Sequence, residues 1–185
     1  DIQPADNTDN YFQKYQLNLP GEMYTRNYSF PETLRAYDKY ASGENFVDTQ
    51  NVASVIVGDT YPNSYVIFTG HLDHVGVDEN EVYNGADDNG SGTVSILEIA
   101  QAFQNAIKDG IRPKRSIVFL HVSGEEEGLL GSEYYVNNSL YPIENTFVNI
   151  NLDMIGRTDP TRGYEEEDYI YSIGSDRITN KLIFC

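Results

Sequence analysis

The stretch "SYVIFTGHLDHVG", residues 64–76, joins an apolar run directly to a group of ionisable side chains. Its first part, "SYVIFTG", is short, rich in β-branched and aromatic residues and bounded by turn residues, which predicts a β-strand. His71, Asp73 and His74 follow this strand at once. The strand therefore carries imidazole and carboxylate groups, which are potential metal ligands, to the edge of a sheet.

Similar apolar runs lie on both sides of this strand and alternate with helical patterns. Residues 93–107 carry apolar side chains at the spacing i, i+3, i+4, i+7 and i+11, which predicts a helix. Strands that are apolar on both faces and alternate with helices indicate an α/β fold, with helices on both sides of a mixed, mostly parallel sheet. The other predicted strands are 51–58, 115–124, 146–156 and 168–175, and a brief helix is predicted at 131–139.

The beginning of the chain is less regular. Residues 1–50 are rich in tyrosine and show poor periodicity, although "ETLRAYDKYA" (32–41) favours a short helix after Pro31. We predict that residues 1–50 form an N-terminal segment packed on one domain of residues 51–185.

Composition excludes several classes of protein. The chain has 185 residues, with 29 Asp and Glu against 12 Lys and Arg, giving a formal net charge of −17. This charge argues against nucleic acid or an anionic membrane as a partner. No apolar run is long enough to span a membrane. Cys185 is the only cysteine, so a disulfide within the chain and a cysteine-based zinc finger are excluded.

Acidic residues follow the other predicted strands as well. Asp87 and Asp88 lie in the loop "NGADDNGSGT" (84–93), residues 125–127 are three glutamates after the strand 115–124, and Asp153 ends "TFVNINLD". Ligands of open α/β sheets bind outside the carboxyl ends of the strands, so these groups are expected to converge. Carboxylates with imidazole and no thiolate suit a zinc-like divalent ion, which would relieve their mutual repulsion.

Four segments together resemble the zinc-dependent aminopeptidases of peptidase family M28. They occur in order between about Asn51 and Ser175: "GHLDHVG", "NGADDNGSGT", "SGEEEGLLGSEYY" and "NLDMIGR". The resemblance implies a phosphorylase/hydrolase-like, three-layer αβα sandwich of the zinc exopeptidase type. It also implies peptide substrates, two zinc ions that share one carboxylate, and a secreted or periplasmic protein.

The resemblance assigns metal ligands position by position. His71 resembles the histidine ligand of the first metal, and Asp153 resembles its remaining protein ligand. Asp88, the second aspartate of "ADDN", resembles the carboxylate that bridges both metals. Glu126 resembles the carboxylate ligand of the second metal.

The resemblance also assigns two catalytic roles. Glu125 resembles the general base, which takes a proton from the attacking water and delivers it to the leaving amine. Asp73 resembles the carboxylate that orients the imidazole of His71, fixing its tautomer. The family often has a cis peptide bond after the bridging aspartate, which here is Asp88–Asn89.

One part of the family pattern is not found. The pattern contains a second histidine ligand downstream of "NLDMIGR", but the last of the three histidines in this sequence is His121. We therefore predict a truncated domain that is incomplete at its C-terminus. One zinc ion or none is expected in this chain, with weak or absent binding of the second metal and impaired activity.

Three nearby ionisable residues have simpler interpretations. His74 is predicted to make a hydrogen bond within its loop rather than to bind a metal. His121 lies in the middle of a strand and is predicted to be a hydrogen-bonded core histidine. Asp87 is predicted to brace its loop.

Other functions compete with the peptidase interpretation. Residues 87–98 match the spacing of an EF-hand calcium loop, but the predicted helix begins inside the loop and no helix leads into it. A glutaminyl-cyclase-like acyltransferase on the same fold and a non-catalytic metal- or peptide-binding module stay open.

Overall fold

The computed structural model describes residues 3–4, 12–18, 46–78, 81–159, 161–162 and 169–174. These residues form eight strands, two α-helices, a short π-helical turn at Ala86–Ser91 and a 3-10 turn at Ile143–Asn145. The strands are β1 (Gln3–Pro4), β2 (Phe12–Asn18), β3 (Phe46–Ile56), β4 (Tyr61–His71), β5 (Gly76–Asp78), β6 (Glu81–Tyr83), β7 (Arg115–Val122) and β8 (Thr146–Asn151); the helices are α1 (Gly92–Lys108) and α2 (Leu130–Asn137).

Six strands form one sheet in the order β1-β3-β7-β4-β8, with β2 also paired to β3. Strand β3 is antiparallel to β1, β2 and β7, whereas β4 is parallel to both β7 and β8. The predicted mixed sheet is therefore confirmed, and its parallel part among the described strands is β7-β4-β8. Strands β5 and β6 form a separate antiparallel pair.

The two helices cover opposite faces of the sheet. Ile96 and Ala100 of α1 pack with Ile117 and Phe119 of β7 in one buried cluster. Tyr135 of α2 belongs to a second cluster. The other buried members of that cluster are Ala53, Val55, Tyr65, Ile67, Val118, Leu120 and Val122. Residues 117–120 of β7 alternate between the two clusters, as the two-residue period of a strand requires. The predicted three-layer αβα arrangement is confirmed.

The register of the parallel strands brings their ends to one edge. His71 at the end of β4 pairs with Val122 at the end of β7, and Thr69 of β4 pairs with Asn151 at the end of β8. The segments that leave these three strands therefore emerge side by side. This is the edge where the sequence places its histidines and carboxylates.

One prediction about local structure, the strand at 168–175, is wrong, and another, the helix at 32–41, concerns residues that the structure does not describe. Residues 169–174 form no strand, and Ile173 is 95% exposed. A strand needs a neighbouring edge for its backbone hydrogen bonds, and no described strand pairs with this segment. The helix predicted at 32–41 lies outside the described residues. No helix in the described part of the chain is long and apolar enough to cross a membrane.

Candidate metal centre

His71, at the end of β4, is held in place by a hydrogen bond to its backbone carbonyl and by burial of its side chain. Its side chain is only 3% exposed. Its carbonyl oxygen accepts a hydrogen bond of 2.8 Å from the hydroxyl of Thr93 in the first turn of α1. Nε2 of His121 lies 3.1 Å from the carbonyl oxygen of Thr93, so the buried His121 is a hydrogen-bonded core histidine, as predicted.

The orientation of the His71 ring depends on Asp73 in two ways. Nδ1 of His71 lies 3.0 Å from the backbone carbonyl oxygen of Asp73 and 3.7 Å from its carboxylate. A carbonyl oxygen only accepts, so this contact places a ring proton on Nδ1 and makes Nε2 the nitrogen that carries the lone pair when the imidazole is neutral. The Asp73 carboxylate in turn accepts a 3.3 Å hydrogen bond from the backbone N–H of Glu126. Asp73 thus connects the segments that follow β4 and β7.

Nε2 of His71 faces three carboxylates. It lies 3.1 Å from Oδ1 of Asp88, 3.6 Å from Oδ1 of Asp153 and 4.0 Å from Oε2 of Glu125. The atom is buried, yet it makes no hydrogen bond with any described residue. A buried polar atom without a partner is costly, and such atoms are rare unless something else satisfies them.

The residues of this group fit a zinc-like ion. Nε2 of His71 and one carboxylate oxygen each from Asp88 and Asp153 lie within 4.8 Å of one another. Zinc takes imidazole nitrogen and carboxylate oxygen at about 2.0–2.2 Å, so ligand atoms of one ion lie a few ångströms apart. The unpartnered Nε2 is the structural observation that favours a cation here.

The loop that carries Asp88 is tied to the segment that carries Asp153. The peptide bond Asp88–Asn89 is cis, as the resemblance implies. The Asn89 side chain is buried, and it donates to the carbonyl oxygen of Leu152 at 2.9 Å and accepts from the N–H of Gly92 at 3.0 Å. Asn89 therefore holds the start of α1 and the end of β8 together beside the carboxylates.

Asp87 braces the same loop, as predicted. Its Oδ1 accepts a hydrogen bond of 2.8 Å from the N–H of Gly156, and its backbone carbonyl oxygen accepts one from the Ser91 hydroxyl at 2.6 Å. The segment does not form an EF-hand, because α1 already begins at Gly92 and strand β6 precedes the loop. The sequence match to a calcium loop is therefore coincidental.

The electrostatics of the group reflect an excess of negative charge. Burial by itself lowers the pKa of His71, but the hydrogen bonds to Asp73 and the charges of Asp73 and Glu125 outweigh it and raise that pKa to about 9. Burial raises the pKa of Glu125, and Glu126, Asp153 and Asp73 raise it further against the opposing effect of His71. Burial also opposes ionisation of Asp73, but the hydrogen bonds from His71 and from backbone N–H groups leave its pKa lowered.

A second group lies beside the first. Nδ1 of His74 is 2.7 Å from Oε1 of Glu126 and 4.0 Å from Oδ1 of Asp88. The hydrogen bond predicted for His74 within its own loop is not found among the described residues, because its Nδ1 faces these carboxylates instead. A signal for this position was present in the sequence. His74 follows His71, the last residue of β4, by only three residues, so both imidazoles lie at the same end of that strand.

Comparison with known proteins gives a consistent result. The sequence model of peptidase family M28 matches residues 51–181. The chain is 36% identical over 109 residues to the aminopeptidase NAALADL1 of Rattus norvegicus, a match that covers 58% of this chain and 14% of that protein. It is 31% identical over 161 residues to a probable zinc metalloprotease of Pyrenophora teres f. teres, a match that covers 83% of this chain and 30% of that protein. The chain thus spans less than a third of the length of either relative.

The fold also resembles a solved structure. The glutaminyl cyclase of an Acidobacteriales bacterium superposes with a TM-score of 0.51 over 79% of this chain and 44% of that one, at 14% sequence identity. At this identity the similarity concerns the fold alone.

Proposed function

The chain belongs to peptidase family M28, and from that premise we propose that it is part of a zinc-dependent exopeptidase that removes amino acids from the N-terminus of peptides. The observation that carries the proposal is the unpartnered, buried Nε2 of His71, which faces Asp88 and Asp153. Two relatives support it by name, one an aminopeptidase and one a probable zinc metalloprotease.

His71, Asp88 and Asp153 would hold the catalytic zinc ion. Zinc bound there supplies Lewis-acid chemistry, which polarises the scissile carbonyl and brings the pKa of a water molecule towards neutrality. Asp73 keeps the His71 ring in the orientation that directs Nε2 at the ion, through the contact of Nδ1 with its carbonyl oxygen.

Glu125 is the proposed general base. Its carboxylate lies 4.0 Å from Nε2 of His71, at the border of the metal group and with about 30% of its side chain exposed. Its raised pKa, caused first by burial and then by Glu126 and Asp153, brings it closer to the range in which a carboxylate exchanges protons efficiently. Glu125 would take a proton from the attacking water and pass it to the leaving amine as the peptide C–N bond breaks.

The acidic surroundings favour a substrate with a free amino terminus. Asp73, Asp88, Glu125, Glu126 and Asp153 all lie at this edge of the sheet. A protonated α-amine beside them is attracted, whereas a peptide carboxylate is repelled. This is the physical basis for proposing cleavage at the amino end. Secretion or a periplasmic location stays a prediction.

A peptide assay tests the proposal. Zinc-loaded chain is incubated with a short peptide that has either a free or an acetylated N-terminus, and released amino acid is measured. We expect slow release from the free peptide only, and about 10²–10⁴-fold slower release with the Glu125→Gln variant. Release of the internal residues of both peptides at equal rates would contradict an exopeptidase.

The same assay separates the two competing functions. A peptide that begins with glutamine is included, and its mass is followed. Loss of ammonia without release of an amino acid would indicate a glutaminyl-cyclase-like acyltransferase. Binding of peptide without any turnover in the presence of zinc would indicate a non-catalytic binding module.

A further inference from the structure

We propose that Asn51 is a positioning residue, whose buried carboxamide holds both ends of the loop that carries Glu125 and thereby fixes that carboxylate beside the metal group. This loop, called the glutamate loop below, comprises residues 123–131 and runs from the end of β7 into the first turn of α2. Asn51 belongs to β3, which is separated from β4 and its His71 by the whole of β7. The inference rests on the proposed function, because it concerns the proposed general base.

Asn51 is a polar residue in an apolar part of the sheet. It is 0% exposed. Ala53 and Val55, on the same face of β3, belong to the core cluster that includes Tyr135 of α2. A buried carboxamide is costly unless its oxygen and its nitrogen both have hydrogen-bond partners, whereas an apolar side chain would serve packing without that requirement. The choice of asparagine is therefore explained by what its carboxamide binds.

The carboxamide of Asn51 connects the two ends of the glutamate loop. Its Nδ2 donates a hydrogen bond of 2.9 Å to the carbonyl oxygen of Gly131, and its Oδ1 accepts one of 3.2 Å from the N–H of Ser123. The hydroxyl of Ser123 also donates to the carbonyl oxygen of Gln50 at 2.7 Å. Because a carbonyl oxygen only accepts and an N–H only donates, one orientation of the carboxamide satisfies both ends. The loop is thus closed and attached to β3.

Glycine at position 131 permits this closure. A Cβ atom at residue 131 would clash with the carbonyl oxygen of Ser123 and would lie 2.7 Å from both Oδ1 of Asn51 and the backbone nitrogen of Ser123. The absence of a side chain therefore lets the first turn of α2 approach the end of β7 closely enough for one carboxamide to bind both.

Between its ends the glutamate loop is held by its own backbone. The N–H groups of Gly128 and Leu129 both donate to the carbonyl oxygen of Glu125 at 2.9 Å. The N–H of Leu130 donates to the carbonyl oxygen of Gly124, also at 2.9 Å. Glu125 is therefore part of a compact unit, and the place of its side chain depends on how the ends of that unit are attached to the sheet.

The position of Glu125 matters for the proposed reaction. Its Oε2 lies 4.0 Å from Nε2 of His71. The N–H of Glu126 attaches the middle of the loop to the carboxylate of Asp73 at 3.3 Å, which leaves the ends to be fixed by Asn51. A displacement of a catalytic group by about 1 Å reduces a rate by about 10²-fold. Loss of the Asn51 carboxamide should therefore slow turnover while leaving the zinc ligands in place.

Hydrogen exchange in the metal-free chain tests the inference independently of activity. The informative amides are those of residues 128–130, whose printed hydrogen bonds lie within the loop. In Asn51→Leu, whose side chain branches at the same atom but has no hydrogen-bonding group, these amides should exchange about 10-fold faster, while those of α1 stay unchanged. The matched control is Val55→Ala, which disturbs the same core cluster opposite Val118 in the middle of β7 and should leave residues 128–130 protected.

A double-variant experiment tests whether Asn51 acts through Glu125. With the zinc-loaded chain and a free peptide, Asn51→Leu should lower kcat by about 10²-fold with KM and zinc content unchanged. In the Glu125→Gln background the same substitution should change kcat by no more than about 2-fold, because the group that Asn51 positions no longer acts. Equal losses in both backgrounds would show that Asn51 does not act through Glu125 and would overturn the inference.

A second variant keeps the test decisive if Asn51→Leu does not fold, as judged by circular dichroism. Asn51→Ser has a side chain too short to bind both ends of the loop and should show the same changes. Unchanged exchange of residues 128–130 in a folded Asn51 variant would overturn the inference even if activity were lost. Turnover that such a variant retains in full would overturn the inference alone, whereas the absence of turnover in the unmodified, zinc-loaded chain would overturn the proposed function as well.

Discussion

At the scale of single residues, the proposed metal binding follows from the grouping of several carboxylates around the imidazoles of His71 and His74. The imidazoles of His71 and His74 each lie within 4.0 Å of more than one acidic side chain, and the exposed guanidinium of Arg157 lies 3.8 Å from Asp87. Ionised carboxylates gathered in a partly buried space repel one another unless a cation compensates them. Divalent ions are the compensation that the donor atoms fit best.

Glu125→Gln separates proton transfer from metal binding. The amide occupies the same volume as the carboxylate but cannot take up a proton, so turnover should fall by about 10²–10⁴-fold, the usual contribution of a general base. Zinc content should stay unchanged, because His71, Asp88 and Asp153 are untouched. Turnover by Glu125→Gln at the rate of the unmodified chain, measured on a free peptide, would remove Glu125 from its proposed role.

His121 should make stability depend on pH. Burial lowers its pKa below 6.5, and its hydrogen bond to the Thr93 carbonyl only partly opposes this. The folded protein therefore keeps His121 neutral, while the unfolded chain takes up a proton below about pH 6.5. The stability associated with His121 is complete above that pH and is lost as the pH falls, at up to about 1.4 kcal/mol per pH unit.

Urea unfolding at pH 7.5 and pH 5.5 measures this effect. His121→Gln keeps a donor for the Thr93 carbonyl but does not titrate, so it should lose less stability between the two pH values than the unmodified chain does. The comparison cancels the contributions of the other titrating groups, which both proteins share. Equal losses in the two proteins would show that His121 is protonated in the folded state or is not coupled to folding.

The sequence predicted some residues of the site better than others. His71, Asp88 and Asp153 were expected to converge because each follows or adjoins a strand end, and parallel strands deliver their ends to one edge. The position of His74 was not predictable in this way. It depends on the left-handed conformation of Gly85 and on the hydrogen bond between Asp73 and Glu126, which are features of three-dimensional packing.

At the scale of secondary-structure elements, the site depends on how closely α1 approaches the end of β8. A Cβ atom at Gly92 would clash with the carbonyl oxygen of Leu152 and with Oδ1 of Asn89. The absence of a side chain therefore lets the helix begin directly against the segment that carries Asp153. The loop with Asp88 is held in the same contact through Asn89.

Gly92→Ala should weaken the metal site without altering any ligand. The added methyl group forces α1 away from Leu152, which separates Asp88 from Asp153 and costs about 1–3 kcal/mol of stability, as overpacking usually does. Zinc affinity and urea unfolding are the measurements. Gln101→Ala, at an exposed position of the same helix, is the control and should change neither. Unchanged zinc affinity in a folded Gly92→Ala protein would contradict this dependence.

The pattern of apolar residues predicted the central strands and helix α1 correctly. It did not predict strand β2, and it wrongly predicted a strand at residues 168–175. Strands β3, β4, β7 and β8 and helix α1 carry continuous or periodic apolar residues, and each was recognised from that pattern. Strand β2 was not, because its pairing with β3 is an edge pairing in a segment with poor periodicity. Residues 169–174 show the opposite error, since β-branched and aromatic residues do not form a strand without a neighbouring edge.

At the scale of the whole molecule, binding of a cation should contribute to folding stability. The chain carries a net charge of −17, and several of its carboxylates are concentrated at one edge of the sheet. A ligand that binds only the folded state stabilises it by about 2.7 kcal/mol at a concentration one hundred times its Kd. Zinc that bridges β4, the 84–93 loop and the end of β8 should act in this way.

Thermal unfolding with and without a chelator measures the contribution. Removal of metal should lower the Tm, and added Zn²⁺ should restore it, whereas Mg²⁺ at the same concentration should restore less because it prefers all-oxygen ligands. His71→Ala should make the Tm insensitive to zinc at low concentration. A Tm that responds equally to zinc in both proteins would place the stabilising ion elsewhere.

The most direct measurement is an anomalous difference map at the zinc absorption edge from crystals of the zinc-loaded chain. We predict a peak within about 2.0–2.2 Å of Nε2 of His71 and of carboxylate oxygens of Asp88 and Asp153. Zinc bound only at other residues, or no peak at this edge of the sheet in fully loaded crystals, would contradict the assignment of a catalytic metal centre.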